Sequence, residues 1–385
     1  MDFELNDDQR MFRRTLRDFV DKEIIPVAAE WEREGRHPEE IIEGFRRLGL
    51  FGVTIPEEYG GLDLDRVSFA LVFEEIARGW MGVAGVLGSH TLSAWMIARY
   101  GTEEQRAAYL PDLATGARRT GIALTEPGAG TDLQGIQTRA VRDGDEYVVH
   151  GTKTWITNAR HADPLPVLVK TSDADPPHKG MSVLLIEADR GFTVSRDLPK
   201  LGYKGTETCE VVFDGVRVPA SALLGGAEGR GMQQVLSALE LGRVNIAARA
   251  VGVAQCAYEA ALTYSRERQA FGQPIGDFQA IQLKIADMAT DIQAARLLTY
   301  WAATRSQAGA VNAEAAMAKY FASEVALRAT MESMRIHGGY GYSQEFVVER
   351  LYRDAPLMAI GEGTNDVQRM VIARSLLSGA AKVGW

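Results

Sequence analysis

The 385-residue chain has only two cysteines, Cys209 and Cys256, far apart and outside any metal-ligand spacing. That excludes a disulfide framework and fits a reducing compartment. No GxGxxG opens a strand-to-helix unit and no GxxxxGK(S/T) occurs, so neither a Rossmann dinucleotide site nor a P-loop is indicated. Motifs such as HExxH are missing, and no metal is expected. Positive charge is not in excess: 42 Lys and Arg face 51 Asp and Glu, a formal charge of −9, which argues against nucleic acid or an anionic membrane as partner. No apolar run approaches a membrane span, and the acidic start MDFELNDDQR lacks the regions of a signal or transit peptide. The expected setting is the cytoplasm of a bacterium, which the Ala-, Gly- and Arg-rich composition suits, or a mitochondrial matrix if a transit peptide has been removed.

What is present is ordinary for a globular enzyme of two or three domains: 46% apolar and 24% charged residues. Over residues 7–31, Phe12, Leu16, Phe19, Val20 and Ile24 recur at helical spacing, and helical patterns continue over 39–50, 65–78 and 92–100. From Thr120 the texture changes to short β-rich runs such as IALTEP, EYVVHGTKTWIT, LPVLVKT and CEVVFDGVRVP, divided by turn residues. After GGAEGRG, long helical stripes return: Phe278, Ile281, Ile285, Met288 and Ile292, then Met317, Tyr320, Phe321, Val325 and Leu327. The expected organisation is an all-α domain over 1–118, a β domain over 119–226 and a helical bundle over 227–385. No internal repeat or low-complexity tract is evident.

IGEGTNDVQRMVIAR, residues 360–374, places Glu362 between Gly361 and Gly363 just before a helical run. The glycines let the turn approach a ligand, which suits a general base, although taken alone a Glu between glycines reads sooner as an ordinary solvent-exposed turn. Asn365 and Gln368 read as N-cap and capping-box partner. The helix dipole would favour the ionised carboxylate and burial would raise its pKa; the sequence leaves that competition open. TEPGAGTD, residues 125–132, offers backbone N–H groups at Gly128 and Gly130 and the hydroxyls of Thr125 and Thr131 to a phosphate-bearing cofactor; taken alone it is as easily a turn between strands. Trp155, Ile156 and Thr157 set an indole beside a hydroxyl, suited to a flat heteroaromatic ring or to a core. Arg268, in RQAFG, can contact phosphate bidentately or cap a surface helix. His161 and His337 read as loop or packing residues.

TEPGAGTD, KTWITN, RQAFG, IHGGYGY and IGEGTNDVQR, in this order from Thr125 to Arg369, together resemble the acyl-CoA dehydrogenase family, and the match spans nearly the whole chain. The resemblance implies an N-terminal all-α domain, a central β-barrel-like domain and a C-terminal four-helix bundle, with FAD held non-covalently between domains and against a neighbouring subunit. It implies Glu362 as the base that takes the substrate's α-proton while the β-hydride passes to the flavin. For FAD it implies Ile122, Leu124, Thr125, Gly130, Thr131, Trp155, Ile156 and Thr157 along the ring and pyrophosphate. Arg268, Phe271, Gln279, Arg335, Gly338 and Gly339 are implied from the adjacent subunit, and Thr364 and Asp366 at the cofactor's far end. Thr131, Glu240, Arg243, Gly363 and Arg374 are the implied acyl-CoA contacts. One branch of the family draws its base from the helix around Leu239 to Arg243; here that position is Gly242, so Glu362 has no rival there. Glu240, two residues away, faces elsewhere on a helix.

The reading is an FAD-dependent dehydrogenase making trans-2-enoyl-CoA in fatty acid β-oxidation, a homotetramer built as a dimer of dimers, passing electrons to an electron-transfer flavoprotein. An oxygen-using oxidase or a biosynthetic desaturase is the alternative within the fold, and a non-catalytic helical interaction protein the alternative outside its chemistry. Acyl length and branching depend on residues around 86–94 and 236–246.

Overall fold

The computed structural model describes residues 4–307, 309 and 311–382. Helix α1 (Asp7–Phe19) starts at Asn6, whose side chain accepts from the Gln9 amide while Gln9 answers in a capping box. A π-helical turn over Val20–Ile24 joins it to α2 (Ile25–Glu34), so the single helix expected over 7–31 is two, with Leu16, Phe19, Val20 and Ile24 buried as the spacing predicts. Helix α3 (Glu39–Arg47) follows, then α4 (Arg66–Tyr100), capped by Asp65. The helices expected over 65–78 and 92–100 are parts of α4, interrupted only at Trp80 (φ −157, ψ 105). The stretch between them reads as non-helical because it holds Gly79, Gly82, Gly85 and Gly88, and glycine disfavours helix by about 1 kcal/mol. Packing explains them: a Cβ at Gly82 would stand 1.7 Å from the Lys204 carbonyl oxygen, and one at Gly85 1.9 Å from the Tyr203 hydroxyl. Contrary to the sequence expectation, α4 is long and apolar enough to cross a membrane, but 83% of its most apolar window is buried within the fold. Helix α5 (Glu103–Thr115), not anticipated, opens on a Thr102–Gln105 capping box.

The central domain is a six-stranded sheet of β1 (Arg139–Asp143), β2 (Glu146–Thr157), β3 (Leu165–Lys170), β4 (Met181–Ile186), β5 (Thr193–Asp197) and β6 (Thr208–Pro219), in the order β4-β3-β1-β2-β6-β5. The barrel-like body expected here takes this form, with β4 and β5 at its edges; only β1 and β3 pair in parallel. Tyr147, Val149, Val167, Val211 and Phe213 fill its core. IALTEP forms no strand, only isolated bridges such as Ala123 to Val167.

The C-terminal domain opens with α6 (Gly231–Glu267), turns through the short strands β7 (Gln269–Ala270) and β8 (Gln273–Pro274), and continues as α7 (Gln279–Gln307), α8 (Asn312–His337), α9 (Val348–Ile360) and α10 (Asn365–Leu377). Helices α6, α7, α8 and α9 make the bundle, α10 lies on α8, and α6 also packs along α4. The buried stripe of α8 is Ala315, Ala318, Ala322, Val325, Ala326 and Ala329; Met317, Tyr320, Phe321 and Leu327, the expected stripe, are only half-buried apart from Val325. Small residues on α8 let α6 and α9 approach it closely.

Candidate active site

Helix α9 stops at Gly361 (φ −71), and the chain then turns through two left-handed residues, Glu362 (φ 52) and Gly363 (φ 87). Of the flanking glycines only Gly363 needs to be glycine for its backbone: a side chain at φ 87 is strained, and its Cβ would lie 2.5 Å from Gln368 Nε2. Helix α10 is capped by Thr364, whose hydroxyl accepts from the Val367 amide at 3.3 Å, and not by Asn365 as expected. Asn365 is instead buried. Its Oδ1 accepts from Lys319 Nζ and Ser323 Oγ, each at 3.0 Å, and its Nδ2 donates to Glu324 at 2.8 Å. Gln368 closes no capping box; its Nε2 donates to the Gly363 carbonyl at 3.0 Å.

Lys319, fully buried on α8, clamps this turn from below: its Nζ donates to the carbonyls of Gly363 (2.8 Å) and Ala359 (3.3 Å). Burial pulls the ammonium down to about 8, against the pull of the Glu362 charge. The sequence carried a signal for this residue, a lysine in the small-residue face of α8, that the motif reading passed over.

Glu362 Oε2 is shut off from solvent and has no hydrogen-bond partner. Burial raises its pKa above the ordinary carboxylate range, and the charges of Arg249, Lys319 and Arg243 only partly offset that. A Cβ on Gly242 would sit 2.0 Å from Glu362 Oε2, so the missing side chain on α6 is the space the carboxylate occupies. Glu240 turns away as expected, toward 311–312: burial raises its pKa, against Arg243, the Val311 amide and the Asn312 side chain. Arg243 Nη1 donates to Asn312 Oδ1 at 3.0 Å. The Gly363 carbonyl is held by Lys319 and Gln368; Asp366 is exposed and paired with Arg369, and Arg374 is exposed on α10.

A second group forms where the TEPGAGTD loop meets the end of β2. The Thr154 amide donates to the Thr125 carbonyl at 2.8 Å, drawing the loop to the WIT run. Glu126 builds the loop from inside. Its carboxylate accepts from the amides of Gln137 (2.6 Å) and Thr138 (2.9 Å) and from buried Lys153 (2.9 Å), while Lys153 also donates to the Leu124 carbonyl. Burial would raise the Glu126 pKa, but Lys153 and these donors bring it below the ordinary value. Gly128 and Gly130 adopt no left-handed φ; a Cβ on Gly128 would meet nothing and one on Gly130 only Thr125 Cγ2 at 3.8 Å, so open space adjoins the loop. Trp155 (φ 62) presents its indole outward, 57% exposed, beside the half-buried Thr157, while Ile156 points into the core. Asn158 (φ 62) fixes the turn by donating to the Val86 carbonyl and Ser89 Oγ, each 2.8 Å, and so ties the WIT run to α4. Ile122 is half-buried, Leu124 buried, and Thr131 exposed. The exposed indole, hydroxyls and unfilled loop side fit a flat ring with a phosphate tail, such as FAD.

At the far end of α6, Arg268, Gly338 and Gly339 line an open cleft of ≈ 620 Å³ together with Tyr264, His337 and Tyr340. His337 is a packing residue as expected, stacked on Tyr264 at 4.2 Å with Nδ1 against the Ser333 carbonyl. Phe271 (φ 53) is 96% exposed at the tip between β7 and β8, Gln279 is exposed at the start of α7, and Arg335 is exposed and paired with Glu332. His161 belongs to a cluster the motif reading did not flag, its ring stacked on His37 at 4.9 Å with Glu207 nearby. The Arg119 charge also acts on His161, which disfavours a cation at that point.

The non-glycine residues with left-handed φ are Asp63, Trp155, Asn158, Tyr203, Phe271 and Glu362. Such backbone costs about 1 kcal/mol or more and gathers at functional sites. Here Trp155, Phe271 and Glu362 are all predicted site residues.

Three family domains match in series: acyl-CoA dehydrogenase N-terminal domain over 6–117, middle domain over 121–216 and C-terminal domain over 229–377. The chain is 44% identical over 381 residues to a probable acyl-CoA dehydrogenase of Bacillus subtilis, covering 98% of this chain and all of that one. Among solved structures, butyryl-CoA dehydrogenase of Megasphaera elsdenii superposes with a TM-score of 0.94 at 39% identity, covering 98% of this chain and 100% of that one. A glutaryl-coenzyme A dehydrogenase in complex with glutaryl-CoA gives 0.94 at 40% identity, covering 98% and 97%.

Proposed function

Since this chain belongs to the acyl-CoA dehydrogenase family, FAD-dependent oxidoreductases acting on CH–CH groups, we propose that it converts a saturated acyl-CoA to its trans-2-enoyl-CoA with Glu362 as the base. The observation that carries this is the half-buried Glu362 carboxylate: enclosed and unpartnered at Oε2, raised in pKa, and given its place by the missing side chain of Gly242. A carboxylate oxygen stripped of water and donors is a stronger base than one in solution. The left-handed turn aims it, and Lys319 and Gln368 hold that turn through the Gly363 carbonyl. Among the described residues no backbone acceptor engages the Glu362 N–H, which is free to donate to the thioester carbonyl oxygen as negative charge develops there.

The residues that would hold FAD are Thr125, Thr131, Trp155 and Thr157 in one subunit, with Arg268, Phe271, Gln279, Arg335, Gly338 and Gly339 from its neighbour and Thr364 and Asp366 at the far end. When bound, FAD supplies the acceptor for the hydride leaving Cβ. Arg243, Glu240, Gly363 and Arg374 are assigned to the CoA thioester. A relative that is a subunit of a caffeyl-CoA reductase–Etf complex supports an electron-transfer flavoprotein as redox partner. Bacterial relatives suit a cytoplasmic setting, and the role assigned there is fatty acid β-oxidation.

The test is an anaerobic absorbance titration of the yellow holoenzyme with a panel of acyl-CoA thioesters. Bleaching of the oxidised flavin by one class is the expected result. A flavin that no thioester bleaches contradicts the reaction, and rapid turnover with oxygen alone would replace it by an oxidase.

A further inference from the structure

Two side chains around the base, Asn245 and Arg249, touch nothing that the reaction above uses. Gly242, Asn245 and Arg249 follow one another on α6 at i, i+3 and i+7, so they share one face of the helix. Opposite them on α4 stand Leu92 and Gly88. A Cβ on Gly242 would lie 3.3 Å from Leu92 Cδ1, and one on Gly88 would lie 1.7 Å from Arg249 Nη2 and 3.2 Å from Asn245 Nδ2. Glu362, Asn245 and Arg249 therefore succeed one another along the α4–α6 seam, with glycines making room for the first and the last.

Arg249 is 3% exposed, its Nε is enclosed without a partner, and among the described residues its guanidinium makes no hydrogen bond or ion pair; it lies against Gly88 and 5.5 Å from the ring of Phe73, and its charge reaches Glu362 without contact. The other buried cations are all answered. Arg78 has Glu75 and Glu259, Lys153 has Glu126, Arg119 has Glu39, Arg243 has Asn312, Lys319 has three oxygens, and Arg350 has the Gly79 carbonyl. Asn245 is fully buried with both Oδ1 and Nδ2 unpartnered. Burying a guanidinium with no counter-group in contact costs several kcal/mol, and an unpaired amide adds to that. A site that leaves both open at the same place is built for something that arrives.

We propose that Arg249 and Asn245 form the distal end of the acyl pocket and bind a terminal carboxylate, so that the substrate is a short ω-carboxyacyl-CoA, the thioester of a dicarboxylic acid. This rests on the reading of Glu362 as the base. Asn245 and Arg249 lie one and two helical turns beyond Gly242, about 5–10 Å along the axis, which suits a chain of glutaryl to adipyl length. The carboxylate takes no part in the chemistry: the α-proton goes to Glu362, the β-hydride to the flavin, and the distal group is unchanged. Relatives named for butyryl and for glutaryl thioesters both occur, so the family does not decide the matter.

The experiment compares chains matched in length, glutaryl- against valeryl-CoA and adipyl- against hexanoyl-CoA, on the FAD-loaded wild type and Arg249→Met. Methionine keeps the bulk without the charge. The wild type should favour the diacyl member by at least about tenfold in kcat/KM, as expected where a buried polar site would be left unpaired by the simple chain. Because the Arg249 charge also lowers the Glu362 pKa, the two proteins are compared at a pH above that pKa, where R249M should lose the preference through a much larger fall on the diacyl than on the monoacyl member. Equal kcat/KM for the two members in the wild type, or a parallel loss on both in R249M, overturns the proposal and leaves Arg249 as a counter-charge for the base. Binding to Glu362→Gln by calorimetry separates pocket from chemistry. Tighter binding of glutaryl- than valeryl-CoA, abolished by adding R249M, supports the pocket even if the assigned reaction fails. Equal binding overturns it even if the reaction holds.

Discussion

The proposed base is positioned by contacts that span the chain: Glu362 sits on Gly242 of α6, and its turn is held by Lys319 of α8. Gly242→Ala should be close to neutral for stability. Alanine favours the helix by roughly 0.5–1 kcal/mol, and the group it meets is the far end of a flexible side chain. Activity should fall by about 10²-fold, because a displacement of the carboxylate by an ångström misaligns the proton transfer. Steady-state kinetics beside thermal melting would check the split; activity and stability falling together would contradict it. Lys319 gives a pH test. Glu362 must be ionised to act, and its pKa is already raised by burial, so kcat/KM should rise with pH along a limb centred above the ordinary carboxylate value. Lys319→Met removes a charge that lowers that pKa, and the limb should move to higher pH. An unmoved limb would place Lys319 outside the electrostatics of the base. Flanking glycines and a helix start made Glu362 legible in the sequence. Gly242 was legible as the absence of a rival base, but neither its contact with the carboxylate nor the partnerless state of Arg249 was, because each is a relation between helices distant in the chain.

At the scale of elements, the amphipathic α1, the β-rich centre and the long C-terminal helices follow from periodicity, whereas the middle of α4 and the core face of α8 do not. In both, small residues replace the large apolar ones that a periodicity reading looks for, and the reason is the close approach of a neighbour: Tyr203 and Lys204 over α4, α6 and α9 against α8. The Tyr203 segment is docked by α9 through the Asp354 carboxylate, which accepts from the Tyr203 amide. Burial first, and the Glu32 charge second, push Asp354 from 3.8 to about 7. A folded pKa above the unfolded one means that the native state binds the proton more tightly, so on this account stability falls as pH rises from about 4 to about 7. Asp354→Asn keeps the acceptor and removes the titration. Its stability relative to wild type should therefore improve between pH 5 and pH 8 in urea unfolding, and a difference independent of pH would refute the assignment.

On the scale of the molecule, residues assigned to the cofactor divide between two places. Gly242, beneath Glu362 in the first half of α6, and Arg268, in the cleft at its C-terminus, are twenty-six residues apart, about 39 Å along the axis. On the proposed reading, the Arg268 cleft would serve the cofactor of another copy. The exposed Phe271 and Tyr342 near that cleft are apolar surface for such a contact. FAD retention should then depend on protein concentration, with dilution to monomers releasing flavin as followed by fluorescence and sedimentation. A monomer that kept stoichiometric FAD would rule this out.

The claim on which the rest depends is that Glu362 takes the α-proton. Its most direct test is stopped-flow reduction of the flavin in Glu362→Gln beside the wild type, anaerobically, with the best thioester. The account predicts that the variant stays yellow and binds the thioester, yet its reduction is slowed by several orders of magnitude. Reduction at near wild-type speed would remove Glu362 from the base role.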